Sequence, residues 1–138
     1  MTSRSKNLIV ASIFAGTVAA LAFVFSHRQL EPTPQFPGQD PTSIEVSVDF
    51  KLIGSIADTG DLMRILRTAK FVPPHPCAAR GQFILRYPTR ESVNVSIYPG
   101  HTPNSYEFAV GGTGYVISRA KLLSSLQAGG IDARKIPQ

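Results

Sequence analysis

The sequence predicts a small α+β domain of two layers, in which a mainly antiparallel sheet carries two amphipathic helices on one face. Short segments with alternating apolar and polar residues, typical of half-buried strands, are separated by turn-forming residues. Two other segments repeat their apolar residues at helical spacing. The predicted order of elements is β, α, β, β, β, α, β, preceded by one N-terminal transmembrane helix.

The chain has 138 residues, which is enough for one ordinary domain. Hydrophobic residues make up 43% and charged residues 17%, a composition that excludes a coiled coil or a wholly disordered chain. The formal net charge is +5, and Arg4 and Lys6 at the N-terminus contribute two of these charges. The remainder of the chain therefore has an ordinary charge balance and gives no sign of nucleic-acid binding.

Residues 8–25 form an apolar run without a charged residue. A helix of this length measures about 27 Å, close to the hydrocarbon core of a bilayer at about 30 Å. Because basic residues precede the run, the positive-inside rule predicts that residues 1–7 lie in the cytoplasm and the rest of the chain lies outside. A retained signal anchor is the favoured interpretation, and cleavage of a signal peptide after Ala22 or after Ser26 is the alternative.

Residues 26–43 contain four prolines and predict an extended spacer. An irregular strap that docks on the domain through Phe36 is the alternative. The predicted organisation is a cytoplasmic tail at 1–7, a transmembrane signal-anchor helix at 8–25, a Pro-rich linker at 26–43 and an extracytoplasmic α+β domain at 44–138.

The strands are predicted from alternation of apolar residues. Residues 44–53 alternate without interruption, so they predict one half-buried strand in which Val48 and Phe50 face the helices. The connectors between the central strands are rich in turn formers and predict an antiparallel meander. The other predicted strands cover residues 82–87, 93–98, 106–110 and 131–136.

The two helices are predicted from apolar spacing and from their ends. After Gly60, the residues Leu62, Ile65 and Leu66 lie on one helical face, and Pro73 forbids a long continuation. The second helix is expected at residues 119–128, between a cap at Ser118 and a stop at Gly129.

Cys77 is the only cysteine, so no disulfide can form within the chain. We expect a partly buried thiol, with an intermolecular disulfide and a catalytic thiolate as alternatives. His75, Cys77 and His101 match no standard zinc spacing, and the carboxylates Glu91, Glu107 and Asp132 are scattered. The sequence therefore predicts no catalytic, cofactor-binding or metal-binding residue, and an enzyme is not expected.

Gly111, Gly112 and Gly114 precede the second helix, but the lysine and spacing of a phosphate-binding loop are missing. They are expected to form a tight bend between a strand and this helix, and anion binding is the alternative. The basic residues are expected to form a solvated surface, with attraction to an anionic surface such as lipid headgroups as the alternative. They are Arg64, Arg67, Lys70, Arg86, Arg90, Arg119, Lys121, Arg134 and Lys135.

The predicted function is that of a single-pass protein of the cytoplasmic (inner) membrane, which presents a non-enzymatic interaction module in the periplasm or outside the cell. Its expected partners are the lipid bilayer, through residues 8–25, and a protein of the envelope; no nucleic acid and no cofactor is expected. A secreted or periplasmic binding or inhibitor module, released by cleavage, is the first alternative. A small extracytoplasmic enzyme is the second.

Overall fold

The computed structural model describes residues 31–73 and 76–136. The predicted cytoplasmic tail at 1–7, the transmembrane segment at 8–25 and His75 lie outside the described residues. Within the described part of the chain, no helix is both long and apolar enough to span a bilayer. The described residues from Pro32 onward belong to one compact unit.

Seven strands form one sheet in which every neighbouring pair is antiparallel. Their order across the sheet is β2-β1-β4-β5-β6-β7-β3. The strands are β1 Ser43–Val48, β2 Lys51–Ile56, β3 Lys70–Val72, β4 Gly81–Arg86, β5 Val93–Pro99, β6 Ser105–Val110 and β7 Thr113–Ser118. The helices are α1 Gly60–Arg67 and α2 Arg119–Ala128, followed by a 3-10 turn, Ala133–Lys135.

One hydrophobic core joins the sheet to both helices. In each central strand, alternate residues point into this core, as in Phe83 and Leu85 of β4 or Tyr106 and Phe108 of β6. Helix α1 contributes its predicted apolar face, whereas the buried face of α2 includes Ser125 and leaves Leu123 only partly buried. Their buried residues are Leu62, Met63, Ile65 and Leu66 of α1 and Leu122, Ser125 and Leu126 of α2. The prediction of an α+β domain with an antiparallel sheet and two helices is confirmed.

The prediction of one strand over residues 44–53 is wrong, because the chain reverses in the middle of this segment. Asp49 and Phe50 both have positive φ, 45° and 64°, and connect β1 to β2 as a two-residue turn. Pairing then places Leu52 beside Ser47, on the face away from the helices. Phe50 is completely exposed at 103% and Leu52 is 64% exposed, whereas Val48 is only partly buried against the core.

Three further elements differ from the predicted order. Strands β3 and β7 extend the sheet, and β7 follows Gly111 and Gly112 where only a bend was expected. The predicted strand at residues 131–136 is a 3-10 turn, because the Asp132 carboxylate accepts a hydrogen bond from the backbone N–H of Arg134. Its apolar residues Ile131 and Ile136 are nevertheless buried.

The described part of the predicted linker, from Pro32 to Thr42, packs on the domain and is here called the strap. Pro34 and Pro41 are buried, and Phe36 packs against the core. The Tyr115 hydroxyl donates a hydrogen bond to the Thr33 carbonyl oxygen at 3.2 Å. Of the two arrangements expected for the linker, the strap thus adopts the docked one.

Polar contacts with α1 hold the second half of the strap. Arg67 donates to the Pro37 carbonyl oxygen at 2.9 Å and forms an ion pair with Asp40 at 2.6 Å. The buried hydroxyl of Thr59 donates to the carbonyl oxygen of Pro41 at 2.8 Å. Periodicity does not show these contacts, because they join residues 18 to 30 positions apart.

Candidate functional site

The turn between β1 and β2 carries the largest exposed apolar side chains of the described residues. Phe50 and Leu52 point into solvent, and we call residues 49–52 the hairpin tip. Arg80 fixes one side of the tip, since its guanidinium donates to both carboxylate oxygens of Asp49 at 3.0 and 3.4 Å. This hydrogen bonding lowers the pKa of Asp49. The tip is therefore an apolar projection on a turn that is tied to the sheet.

The backbone of Phe50 lies in a conformation that glycine prefers. A left-handed backbone costs a residue with a Cβ about 1–2 kcal/mol, and two-residue hairpins with positive φ at both positions favour Asn-Gly, Asp-Gly or Gly-Gly. Burial of the ring does not offset this cost, because Phe50 is completely exposed. The stability of the fold therefore does not explain a phenylalanine at this position.

A groove of about 320 Å³ opens beside the hairpin tip on the outer face of the sheet, the face away from the helices. The residues that line it include Ser47, Ser96 and Arg80. The complete lining is Ser47, Asp49, Phe50, Ala78, Ala79, Arg80, Gly81, Gln82 and Ser96. The tip and the groove form one continuous surface because they share Asp49 and Phe50.

A second feature of the outer face brings Cys77, His101 and Glu107 together. The Cys77 Sγ lies 3.5 Å from His101 Nε2, and His101 Nδ1 lies 3.1 Å from Glu107 Oε1. The same carboxylate oxygen accepts a hydrogen bond from the backbone N–H of His101 at 3.1 Å. Sequence spacing did not indicate this contact between Glu107 and His101.

Strand alternation places Glu107 in this cluster. Its neighbours Tyr106 and Phe108 enter the core, so Glu107 points to the outer face. Its side chain is only 9% exposed, whereas that of His101 is 53% exposed and Cys77 is exposed. The cluster therefore combines a sheltered carboxylate with an accessible thiol.

The loop at residues 100–104 holds His101 in place. A side chain at Gly100 would meet the Ser105 carbonyl oxygen at 2.3 Å, so the loop is too tight there for any other residue. The Ser105 hydroxyl donates to the Thr102 carbonyl oxygen at 2.8 Å. The carbonyl oxygen of Asn104 accepts from the N–H of Arg119 at 2.9 Å, which ties the loop to the start of α2.

The other carboxylates of interest lie outside this cluster. Asp132 forms an ion pair with Arg134 at 3.0 Å, and Glu91 is exposed. Among residues 31–73 and 76–136, no group of three or more His, Cys, Asp or Glu side chains could hold a metal ion.

Gly111 and Gly112 form the turn between β6 and β7, with φ of 59° and 81°. Backbone geometry explains both residues, and β7 separates them from the start of α2.

Many of the basic side chains are already engaged. The ion pairs are Arg64 with Asp61, Arg67 with Asp40, Arg80 with Asp49, Arg86 with Glu45 and Arg134 with Asp132. Arg90 and Arg119 lie over the rings of Tyr87 and Tyr106. The basic residues thus alternate with acidic and aromatic partners instead of forming one continuous positive surface.

No protein-family model, curated protein or solved structure matches this chain. Function is therefore inferred from the hairpin tip and from the Cys77, His101 and Glu107 cluster.

Proposed function

We propose that this domain is a non-enzymatic interaction module that binds an envelope protein through the hairpin tip. The observation that carries the proposal is Phe50, an aromatic side chain that is completely exposed on a backbone favoured by glycine. A residue that costs stability and contributes no packing is expected where function requires it.

The surroundings of the tip suit a protein partner. Aromatic residues are common among the side chains that dominate protein interfaces, and Phe50 stands beside a groove of about 320 Å³. β2 is an edge strand of the sheet, so its outer backbone groups can pair with an extended segment of a partner. A partner could thus contact the tip, the groove and the strand edge together.

The proposed location rests on the apolar run at residues 8–25 and the basic residues before it. In this arrangement the domain lies outside the cytoplasmic membrane, with the bilayer as the second partner of the chain. Cleavage of the N-terminal segment would release the same module with the same tip. Carbonate-resistant membrane association of a chain with an intact N-terminus would support the anchored form, and a shortened soluble chain would contradict it.

Photo-crosslinking in cells tests the interaction surface. The full-length chain is produced with a photoreactive phenylalanine analogue at Phe50 or at Leu52, and with the same analogue at the exposed control positions Thr89 and Gln127. We expect one protein adduct that forms from the two tip positions and not from the controls. Equal labelling from all four positions, or adducts with lipid alone, would contradict a protein-binding tip.

A substitution experiment distinguishes direct contact of Phe50 with the partner from mere proximity. Phe50→Ser in the chain that carries the analogue at Leu52 should reduce the adduct at least about tenfold, because loss of an interface anchor costs 2 kcal/mol or more. Thr89→Ser in the same chain is the matched control and should leave the adduct unchanged.

A second candidate function is thiol chemistry on the outer face of the sheet. The order of thiol, imidazole and carboxylate in Cys77, His101 and Glu107 favours it.

A further inference from the structure

The Cys77, His101 and Glu107 cluster has the order of a nucleophile, a base and a residue that orients the base. An ionised carboxylate only accepts hydrogen bonds, so Glu107 Oε1 requires the hydrogen of the imidazole to be on Nδ1. The lone pair of Nε2 then faces the Cys77 Sγ at 3.5 Å and can accept the thiol proton. Cys77 and His101 are accessible to a molecule in solution.

We propose that Cys77 is a reactive thiol that captures disulfides of small aliphatic thiols, with His101 as its base and Glu107 as a positioning residue. This proposal is independent of the hairpin tip. It assigns a covalent modification site to the outer face of the sheet.

The exchange step balances without a further reactant. The Cys77 S–H proton passes to His101 Nε2, and the thiolate attacks one sulfur of the disulfide. A new S–S bond forms at Cys77 while the original S–S bond breaks. The leaving thiolate takes the proton from His101 and departs as a thiol. Cys77 is oxidised and the small disulfide is reduced.

The product persists as a mixed disulfide. Cys77 is the only cysteine of the chain, so no second thiol of the same molecule can displace the captured group. The site therefore reacts once and waits for an external thiol, which is consistent with a module that does not turn over a substrate.

Neighbouring charged and titratable groups define the setting of the cluster. On one side Glu107 pairs with Tyr98 of β5. On the other side it pairs with Val116 of β7, which in turn pairs with Lys70 of β3. Arg80 follows Cys77 by three positions and is paired with Asp49. Within the cluster, His101 is the group that faces the Cys77 thiol.

The test measures mixed-disulfide formation of the full-length chain in detergent with oxidised glutathione. Samples are quenched with acid at timed intervals and analysed by intact mass. The reference is the same chain unfolded in guanidinium chloride, in which Cys77 reacts without its neighbours. At pH 6 we expect the folded chain to react at least about tenfold faster, because an ordinary cysteine is almost entirely protonated there. A folded chain that reacts no faster than the unfolded one would overturn the proposal, and this comparison needs no variant.

Variants then assign the roles. His101→Gln should bring the rate of the folded chain at pH 6 to within about twofold of the unfolded reference. Glu107→Gln retains an acceptor for the His101 N–H but loses the charge. We expect it to slow the reaction severalfold at pH 6 and to move the rise of the rate to higher pH.

The controls separate chemistry from structure. Asp132→Asn removes a carboxylate outside the cluster and outside the loop at residues 100–104, so this variant should react like the wild-type chain. Cys77→Ser should form no adduct. An unchanged rate and pH profile in both His101→Gln and Glu107→Gln would overturn the assigned roles.

Discussion

The turns at residues 49–50 and 111–112 have the same type of backbone conformation but contrasting residue types. Each connects two antiparallel strands with two residues of positive φ, and the pairs Val48 with Lys51 and Val110 with Thr113 close them. The second turn uses Gly-Gly, which adopts this backbone without a Cβ penalty. The first uses Asp-Phe, which does not. The same geometry is thus obtained at low cost in one hairpin and at higher cost in the other.

The stems of both hairpins contribute residues to the core, although β1 and β2 shift register between Val46 and Ser47 whereas β6 and β7 pair regularly. Val46 of β1 and Phe108 of β6 both lie in the core. At the tips, Gly112 presents only backbone and Phe50 presents an aromatic ring to solvent. Residues in the stems serve the fold, whereas we infer that Phe50 serves a partner.

The largest expected effect separates the stem from the tip of the first hairpin. Val46→Asp should destabilise the domain by at least about 3 kcal/mol, because Val46 is 0% exposed and a carboxylate there would lack a partner. Phe50→Asp, on the same hairpin, should change stability by no more than about 0.5 kcal/mol. Chemical denaturation of the full-length chain in detergent measures both, and equal losses would mean that Phe50 contributes to the core.

The second prediction transfers the costly residue to the glycine turn. Gly112→Phe should lower the free energy of unfolding by about 1–2 kcal/mol, the cost of a left-handed backbone with a side chain. A Cβ at this position meets no atom within 4 Å, so overlap of the Cβ is not the cause. Gly112→Asn is the matched control and should lose less, since asparagine tolerates this backbone. A silent Gly112→Phe variant would remove the contrast between the turns.

The third prediction reverses the exchange. Phe50→Gly should raise the free energy of unfolding by up to about 1 kcal/mol, because relief of backbone strain exceeds the entropy gained by the unfolded chain. The same variant should lose the protein adduct formed from Leu52. Increased stability together with lost binding would show that Phe50 is retained for its partner, whereas retained binding would contradict this.

The smallest effect concerns the ion pair that only the first turn has. Arg80 lowers the pKa of Asp49 through its hydrogen bonds. The ion pair therefore stabilises the folded state fully above pH 3.8, the ordinary pKa of the carboxyl, and this stabilisation is lost as the pH falls through the lower pKa of the folded state. We expect amide-exchange protection at residues 48–51 to decrease below pH 3.8 more than at residues 110–113. Arg80→Gln should abolish this difference. Parallel pH profiles for both turns in the wild-type chain would argue against a role for the ion pair.

The helices were predictable because their determinants are local. Leu62, Ile65 and Leu66 define the buried face of α1, and the segment from Ser118 to Gly129 brackets α2 within the chain itself. Strand β5 was predictable for the same reason, since apolar and polar residues alternate within the strand itself. Each of these elements needs only an apolar core to pack against, and the core between the sheet and the helices supplies it.

The first hairpin was not predictable from its apolar alternation. Ile44, Val46, Val48, Phe50 and Leu52 alternate through the turn as if the strand continued. Asp49 is the only residue here that favours a turn. The signal is weak, because the residue after it is phenylalanine and not the expected glycine. Pairing with β4, far along the chain, selects the buried face of β1, and the turn sets the face of β2.

Residue types and local spacing determine the two helices, the central strands and the absence of an internal disulfide. The predicted membrane run has the same local origin. Tertiary structure decided which segments meet: the docking of the strap, the reversal at Phe50 and the meeting of Cys77 with His101, 24 positions away. Local spacing reports the periodicity of one segment, whereas these contacts depend on sheet pairing and on loops tied to distant elements. Glu107 shows both parts, because alternation turns it away from the core and only the folded loop places His101 upon it.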